Sequence, residues 1–351
     1  MSSMHIDHKK IFIFINQLFL KIGVEKEVAR LTTEGLIHTS LHGVDTHGIR
    51  LLPHYISGIE QGRINKKPNL AFNKTSESTG IYDADNTLGY AAGMYAMRHA
   101  IKIAEKNGAG FVSVKNSSHC GALSFYGFEA AKHDMIGIGF THATSKMKAP
   151  GSNESFFGTN PMCFTAPISN DQVFCFDSAP TSIPFHKVIH HKETNEPLPS
   201  GAAADKDGNE TTNPQEATQL LPIGDYKGFG LAMVADIFSG LLSGMPAGRE
   251  VSKMYGDMSQ KRYLGHFFGA IKIDVFEKPE IFKKRLQSLS DEIRNLPLMN
   301  DESNNYVPGD IENIIFKKRV LGGIPLRESE LKKLIILSKK YDLIFPNVKK
   351  T

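Results

Sequence analysis

The stretch AGFVSVKNSSHCGALSFYGFEAAKHDMIGIGFTHA, Ala109 to Ala143, decides the fold class. AGFVSVKN reads as a strand, CGALSFYGFEAAKHD as a helix and MIGIGFTHA as a second strand. Such a strand–helix–strand unit belongs to α/β proteins. It places Asn116 to His119 at the carboxyl end of the first strand, where ligands usually bind in sheets of this kind.

Working outward toward the N-terminus, LGYAAGMYAMRHAIKIAEKNG predicts a long helix closed by a glycine, and TGIYDAD a strand before it. Earlier still, DHKKIFIFINQLFLKIG has helical spacing from Asp7, and a second helix is predicted over about 26–41. GIRLLPHYISGIEQG is read as a third, because Pro53 falls near its first turn, where proline is tolerated. Toward the C-terminus, residues 146–161 are loop-like and QVFCFDSA resumes as a strand. The excursion HHKETNEPLPSGAAADKDGNETTNPQEA is too poor in apolar residues to form core, so it is assigned to the surface or to a cover over a site. KGFGLAMVADIFSGLLSG is apolar nearly all round, which predicts a buried helix. A last strand, FFGAIKIDVF, precedes helices at about 279–295 and 328–340.

The 351 residues allow a sizeable core in one or two domains. With 22% charged and 40% hydrophobic residues, disordered, collagen-like and coiled-coil classes are excluded. The +4 formal charge is spread along the chain, so nucleic acid is not indicated. Apolar runs such as IFIFI fall far short of a membrane span, and MSSMHIDHKK lacks the features of a secretory signal, which together predict a cytoplasmic protein. Cys120, Cys163 and Cys175 show no CxxC spacing and are read as small buried hydrophobes.

LHGVDTHGIRLLPHY, Leu41 to Tyr55, concentrates histidines beside an aspartate and an arginine. His38 and His42 could share a helical face near His47, yet that spacing supplies only two metal ligands. His47 and Arg50 suit different chemistry: imidazole titrates near neutrality, and arginine grips a carboxylate with two parallel hydrogen bonds. His119, past a strand end, is a second proton-handling candidate. GTNP and FDSAPTS could present amides and hydroxyls to phosphates or serve simply as turns. Lys227, at the head of an apolar helix, can meet a pyrophosphate there, although an isolated lysine is usually only solvated. The G-x-G-x-x-G fingerprint, the P-loop and H-E-x-x-H are all missing, which disfavours a classical Rossmann fold, an ordinary NTPase and a zincin.

GVDTHG, NSSHCG, GTNP, DSAPTS, LPSGAAADKDGNETTNP, GDYKGFGLAMVADIFSGLLSG, GHFFGAIKIDVF and VPGDIE, in this order, resemble the type 2 malate/L-lactate dehydrogenase family over about residues 6–340. The resemblance implies an α/β fold of its own, non-Rossmann and mixed-sheet, with a helical N-terminal part. In that division residues 1–75 carry substrate and acid/base groups, 76–300 bind the cofactor, and 301–351 pack against the N-terminal part. It further implies a homodimer that uses NAD or NADP, with no metal, and acts on a small 2-hydroxy/2-oxo carboxylic acid. By the family pattern His47 and His119 are the catalytic pair, members differing in which is held to move the proton. Arg50 and Thr159 would contact substrate, and Thr141, Ala143, Thr144, Asp177, Ser178, Ala179, Lys227, Gly228, Pro308, Gly309 and Asp310 the cofactor.

The reaction so implied is hydride transfer between the nicotinamide C4 and the 2-carbon of the acid, with a histidine giving or taking the proton at the substrate oxygen. Two features depart from the pattern. Many members carry the substrate arginine four residues after the histidine, whereas Arg50 follows His47 by three, so either the turn differs or another residue binds the carboxylate. Pro180 also stands where many have a threonine in D-x-A-T-S. The competing readings are a dinucleotide-binding relative without turnover, and a metal-dependent hydrolase built on His38, His42 and His47.

Overall fold

The computed structural model of the protein describes residues 4–170, 172–300 and 303–350; the boundary drawn at residue 301 falls outside these. Its central sheet contains β1 (Ala71–Lys74), β2 (Thr79–Asp83), β3 (Ala109–Ser117), β4 (Met135–Thr141), β5 (Met162–Pro167), β6 (Val173–Ser178) and β7 (Leu264–Lys272). The spatial order is β1-β2-β3-β7-β4-β5-β6. β2 and β3 pair in parallel, and the other neighbours are antiparallel.

The parallel pair is joined by helix α4 (Gly89–Asn107), which ends on Gly108 in the left-handed conformation, a common helix stop. The expected unit over 109–143 also forms, with α5 (Ser124–Ala131) between β3 and β4. Its two strands are not neighbours, because β7 lies between them and places Phe268 opposite both Val112 and Gly139. α4 and α5 cover one face of the sheet. On the other, Phe140 and Phe267 pack on Phe238, each with ring centroids 4.8 Å apart. Phe238 belongs to a π-helical turn, Ile237–Leu241, that continues α7 (Tyr226–Asp236).

The N-terminal part is helical. Asp7 caps α1 (His8–Lys21) by accepting the Lys9 and Lys10 amides at 3.0 and 2.9 Å. Ile11, Phe14, Ile15, Leu18 and Phe19 then form its buried stripe, worth on the order of 10 kcal/mol of apolar burial at about 2 kcal/mol each. α2 (Lys26–Leu41) and α3 (Leu52–Glu60) follow, and α10 (Glu328–Lys340) packs on α3. Strand Met4–Ile6 pairs with both Ile324–Leu326 and Val348–Lys350, tying the two ends of the chain together. One apolar cluster runs from Ile6 through Val112 and Phe268 to Leu337, so helical and α/β parts share a core. Cys120, Cys163 and Cys175 are buried and free, as expected. No helix among the described residues is long and apolar enough to cross a membrane.

Four local readings are corrected. The polar excursion is not devoid of core: Leu198, Ala202, Ala203 and Ala217 join Ile183, Val188 and Leu220 in a small cluster beneath α6 (Phe185–Thr194). The apolar helix near Lys227 is not wholly buried, since Leu231, Met233, Val234, Leu241 and Leu242 face outward. A helix not expected, α9 (Asp310–Gly322), follows α8 (Pro279–Arg294) and starts at Gly309, whose φ of 101° suits glycine. Finally, the third helix begins only at Leu52, after two 3-10 turns, Asp45–His47 and Ile49–Leu51, so His47 and Arg50 do not share an α-helical face.

Candidate active site

β3 delivers Ser117, Ser118 and His119 to the end of the sheet, and the turn after α2 brings His47 to the same place. The two imidazoles stack with centroids 5.3 Å apart and planes 24° from parallel. In each ring Nδ1 meets a hydroxyl: His119 with Tyr55 Oη at 2.7 Å, His47 with Thr46 Oγ1 at 2.7 Å. That leaves Nε2 of each for a substrate oxygen. A hydroxyl both donates and accepts, so these partners tolerate either protonation state of the ring.

Tyr90 backs the pair by donating to the His47 carbonyl at 2.8 Å, with Thr39 Oγ1 2.9 Å from its hydroxyl. The contact requires Gly121. Its φ is 68°, and a Cβ there would lie 2.0 Å from the Tyr90 hydroxyl. The glycine of NSSHCG is thus explained by packing behind the site.

Desolvation in the recess pushes His47 down to about 4, helped by His186 and Arg50 nearby. Desolvation likewise holds His119 well below the usual range, with His47 and Arg262 adding to the effect. Both rings are therefore neutral at pH 7 and competent to accept a proton.

Arg50 donates from Nη2 to His186 Nε2 at 2.8 Å and lies 3.5 Å from Glu330. Its guanidinium is thus held by α6 on one side and α10 on the other. Thr159 is half-buried in the GTNP turn beside Asn160. Asn160 is wholly buried; it accepts the Ala143 amide at 3.0 Å and donates to the Ala232 carbonyl at 3.0 Å, which links the end of β4 to α7.

The loops expected to meet a cofactor fall into three groups. At the end of β4, Thr141 Oγ1 is 2.7 Å from His266 Nδ1, whose Nε2 faces the Ser118 carbonyl at 3.1 Å. The carbonyl can only accept, so the His266 proton sits on Nε2 and Thr141 donates. Thr144 donates to the Ser252 carbonyl at 2.9 Å. In the second group, Ser178 and Ala179 lead into Pro180, and Gly228 packs against that loop: a Cβ on Gly228 would lie 2.9 Å from the Pro180 carbonyl and 2.4 Å from that of Ile223. Lys227 beside it is exposed in the first turn of α7. Asp177 instead accepts the Ser124 amide at the start of α5 at 2.7 Å, and burial pushes its carboxyl up to about 6. In the third group the Pro308 carbonyl accepts the Cys175 amide at 3.1 Å, which lays VPGD along edge strand β6. Gly309 allows that approach, and Asp310 is engaged by Arg294 at 2.7 and 2.9 Å.

His38 and His42 do not converge with His47. Their rings lie 4.1 Å apart among Phe125, Phe128 and Phe316, while the ring beside His47 is His119. Sequence reasoning missed Tyr55, Tyr90, His186, Arg262 and His266. Of these, His266 stood within GHFFGAIKIDVF and Tyr55 at the end of LHGVDTHGIRLLPHY, so both were visible without an assigned task. Nothing local marked the other three.

A family model described as malate/L-lactate dehydrogenase matches residues 6–335. The ureidoglycolate dehydrogenase (NAD(+)) of Escherichia coli is 32% identical over 323 residues, covering 92% of this chain and 93% of that protein. Among solved structures, malate dehydrogenase from Entamoeba histolytica superposes with a TM-score of 0.93 at 28% identity, over 98% of this chain and all 100% of that one. The sulfolactate dehydrogenase of Methanocaldococcus jannaschii gives a TM-score of 0.90 at 31% identity, over 97% and 98% of the two chains.

Proposed function

The chain belongs to the malate/L-lactate dehydrogenase family and is a 2-hydroxy acid dehydrogenase, and from that premise we propose that it interconverts a small 2-oxo acid and its 2-hydroxy acid with His119 as the proton-handling residue. The observation that carries this reading is the stacked, neutral His47–His119 pair at the end of β3, beside the strand end that bears Thr141. His119 is preferred because it follows directly on the end of β3 and is tethered by Tyr55, whereas His47 lies in a 3-10 turn. In reduction His119 Nε2–H gives its proton to the carbonyl oxygen; in oxidation the neutral ring takes it back. His47 fixes the plane of that ring. Arg50 holds the carboxylate next to the reacting carbon, and Thr159, half-buried in the GTNP turn, is taken as a further substrate contact.

The residues present fit a dinucleotide cofactor, which we take to be NAD. The donor set supports this: Lys227 is an exposed cation in the first turn of α7, beside Gly228, which packs on the Pro180 carbonyl of the Ser178–Pro180 loop, and near a Gly230 at which a Cβ would meet only open space. When bound, the nicotinamide supplies or accepts the hydride. Thr141, Ala143, Thr144, Ser178, Ala179, Lys227, Gly228, Pro308 and Gly309 would line it. The Asp177 and Asp310 carboxylates act behind that lining, one on the α5 terminus and one on Arg294. The test is oxidation of NADH and of NADPH, followed at 340 nm, across oxaloacetate, pyruvate, 3-sulfopyruvate, 2,3-diketogulonate and a cyclic imino acid. NADH oxidation with at least one 2-oxo acid is expected; binding without turnover on any of them would leave a silent relative.

The same reading makes the enzyme a homodimer. The outward apolar side chains of α7 and its π-turn support it, because so contiguous an apolar face is usually covered by a partner. Light scattering is expected to return twice the chain mass, and Leu241→Asp to shift the protein toward monomer; a monomeric wild type would refute it.

A further inference from the structure

The polar excursion reaches the substrate site through His186. α6 is seated by Phe185 and Val188, which pack into the small cluster with Ile183, Leu198 and Leu220. His186, between them, turns instead toward Arg50, and its Nε2 meets Arg50 Nη2 at 2.8 Å. A guanidinium only donates, so this nitrogen carries no proton and accepts, and the neutral ring keeps its proton on Nδ1. Burial, with Arg50 and Arg327 nearby, pushes His186 down to about 4, so it remains an acceptor at neutral pH. The other neighbour of Arg50 is Glu330, 3.5 Å from Nε. That carboxylate is itself engaged, because its second oxygen accepts the Arg327 amide at 3.1 Å at the start of α10. Nη1 of Arg50 meets no acceptor among the described residues. Two holders of different charge thus act on one cation. Glu330 draws the guanidinium toward α10 and offsets part of its charge, whereas His186 holds Nη2 and offsets none.

We propose that His186 is the positioning residue for Arg50: as a neutral acceptor it fixes the guanidinium against the pull of Glu330 and leaves Nη1 and the positive charge for the carboxylate of the substrate. The inference rests on the function proposed above, in which Arg50 receives that carboxylate. Orientation matters because a planar guanidinium grips a carboxylate through paired, parallel N–H donors, and a tilted plane loses one of them. Neutrality matters equally. An acidic side chain in the place of His186 would hold the plane as firmly and would cancel the charge that attracts the acid. His186 does not touch the reacting atoms, so its effect falls on binding of the carboxylate and not on the hydride or proton step. In this way the excursion, with its own small core, takes part in substrate recognition.

The experiment measures kcat and KM with NADH for the best 2-oxo acid of the panel in wild type, His186→Ala, His186→Gln and His186→Glu, and repeats His186→Ala in an Arg50→Gln background. The neutral amide of that acid, assayed as substrate or as competitive inhibitor, reports binding without a carboxylate. His186→Ala is expected to raise KM for the acid about 10-fold with kcat within about 2-fold, and to leave the amide unaltered. His186→Gln, whose amide oxygen can accept from Arg50, should restore most of the loss, and His186→Glu should exceed it. In the Arg50→Gln background the alanine change should add nothing, since no guanidinium is left to position. Alanine suits a helix, so α6 is kept, and melting temperature checks each variant. If His186→Ala does not fold, the opposite effects of glutamine and glutamate decide. An unchanged KM for the acid overturns the inference. So does an equal loss on acid and amide, the mark of a merely structural residue, and so does full additivity with Arg50→Gln. If Arg50→Gln itself leaves KM unchanged, the carboxylate binds elsewhere, and the inference falls while the dehydrogenase reading stands. Failure with every acid of the panel sinks that reading and the inference with it.

Discussion

His119→Ala lowers kcat by about 10³-fold in both directions, within the roughly 10²–10⁴-fold that a positioned acid/base contributes, while NADH binding is unchanged. The ring is held at one nitrogen by Tyr55, so only Nε2 can reach substrate, and alanine removes the group that exchanges the proton. Tyr55→Phe is expected to cost less, about 10-fold, because the ring stays but loses its anchor. His47→Ala should fall between the two; if it instead causes the larger loss, the proton belongs to His47. The pH dependence separates the directions. Desolvation keeps His119 well below its usual range, so the basic form is already present at neutrality and kcat/KM for oxidation should show no acid limb in the usual imidazole range. Reduction needs the protonated ring, so its kcat/KM should fall as pH rises. An oxidation profile with its acid limb near 6.5 would show an unperturbed histidine and defeat the argument.

The second large effect is on stability in acid. Burial pushes His266 down to about 3, and His54 and His186 down to about 4, as it does His47; His38 and His119 lie well below the usual range. Each is depressed in the folded chain, so its contribution is complete above the unfolded value near 6.5 and is lost as pH falls from there toward 4. For His266, whose two ring nitrogens are engaged by Thr141 and Ser118 in a fully buried setting, the loss is on the order of 5 kcal/mol once protonated. Asp177 works the other way. Its carboxyl is raised to about 6 by burial, so its protonation below that pH favours the fold and offsets part of the loss. The histidines outnumber it, and the melting temperature should drop by more than about 10 °C between pH 7 and pH 5. His266→Gln should make the drop shallower. A melting temperature constant over that interval would mean that these rings are solvated rather than buried neutral.

Much of the site was legible in the sequence because its pieces sit at the ends of elements with local signatures. THG lies between two helical periodicities and NSSHCG between a strand and a helix, so His47 and His119 stand out from the order of residues alone. The reach of Arg50 does not, because its partners His186 and Glu330 lie 136 and 280 residues further along the chain. Nor does the exposure of α7. An apolar sequence states what a helix would bury, not whether its own chain supplies the cover.

What the sequence alone determined are the short-range features: the strand–helix–strand unit over 109–143, the capped and striped α1, and the glycine-closed α4. Periodicity, capping and left-handed glycines act over a few residues, and those residues are adjacent in the chain. Only the tertiary structure decided that β7 slides between β3 and β4. That single insertion sets His266 between Ser118 and Thr141. The register of strands some 150 residues apart is chosen by which faces bury together in the whole sheet, a property no local stretch of chain encodes.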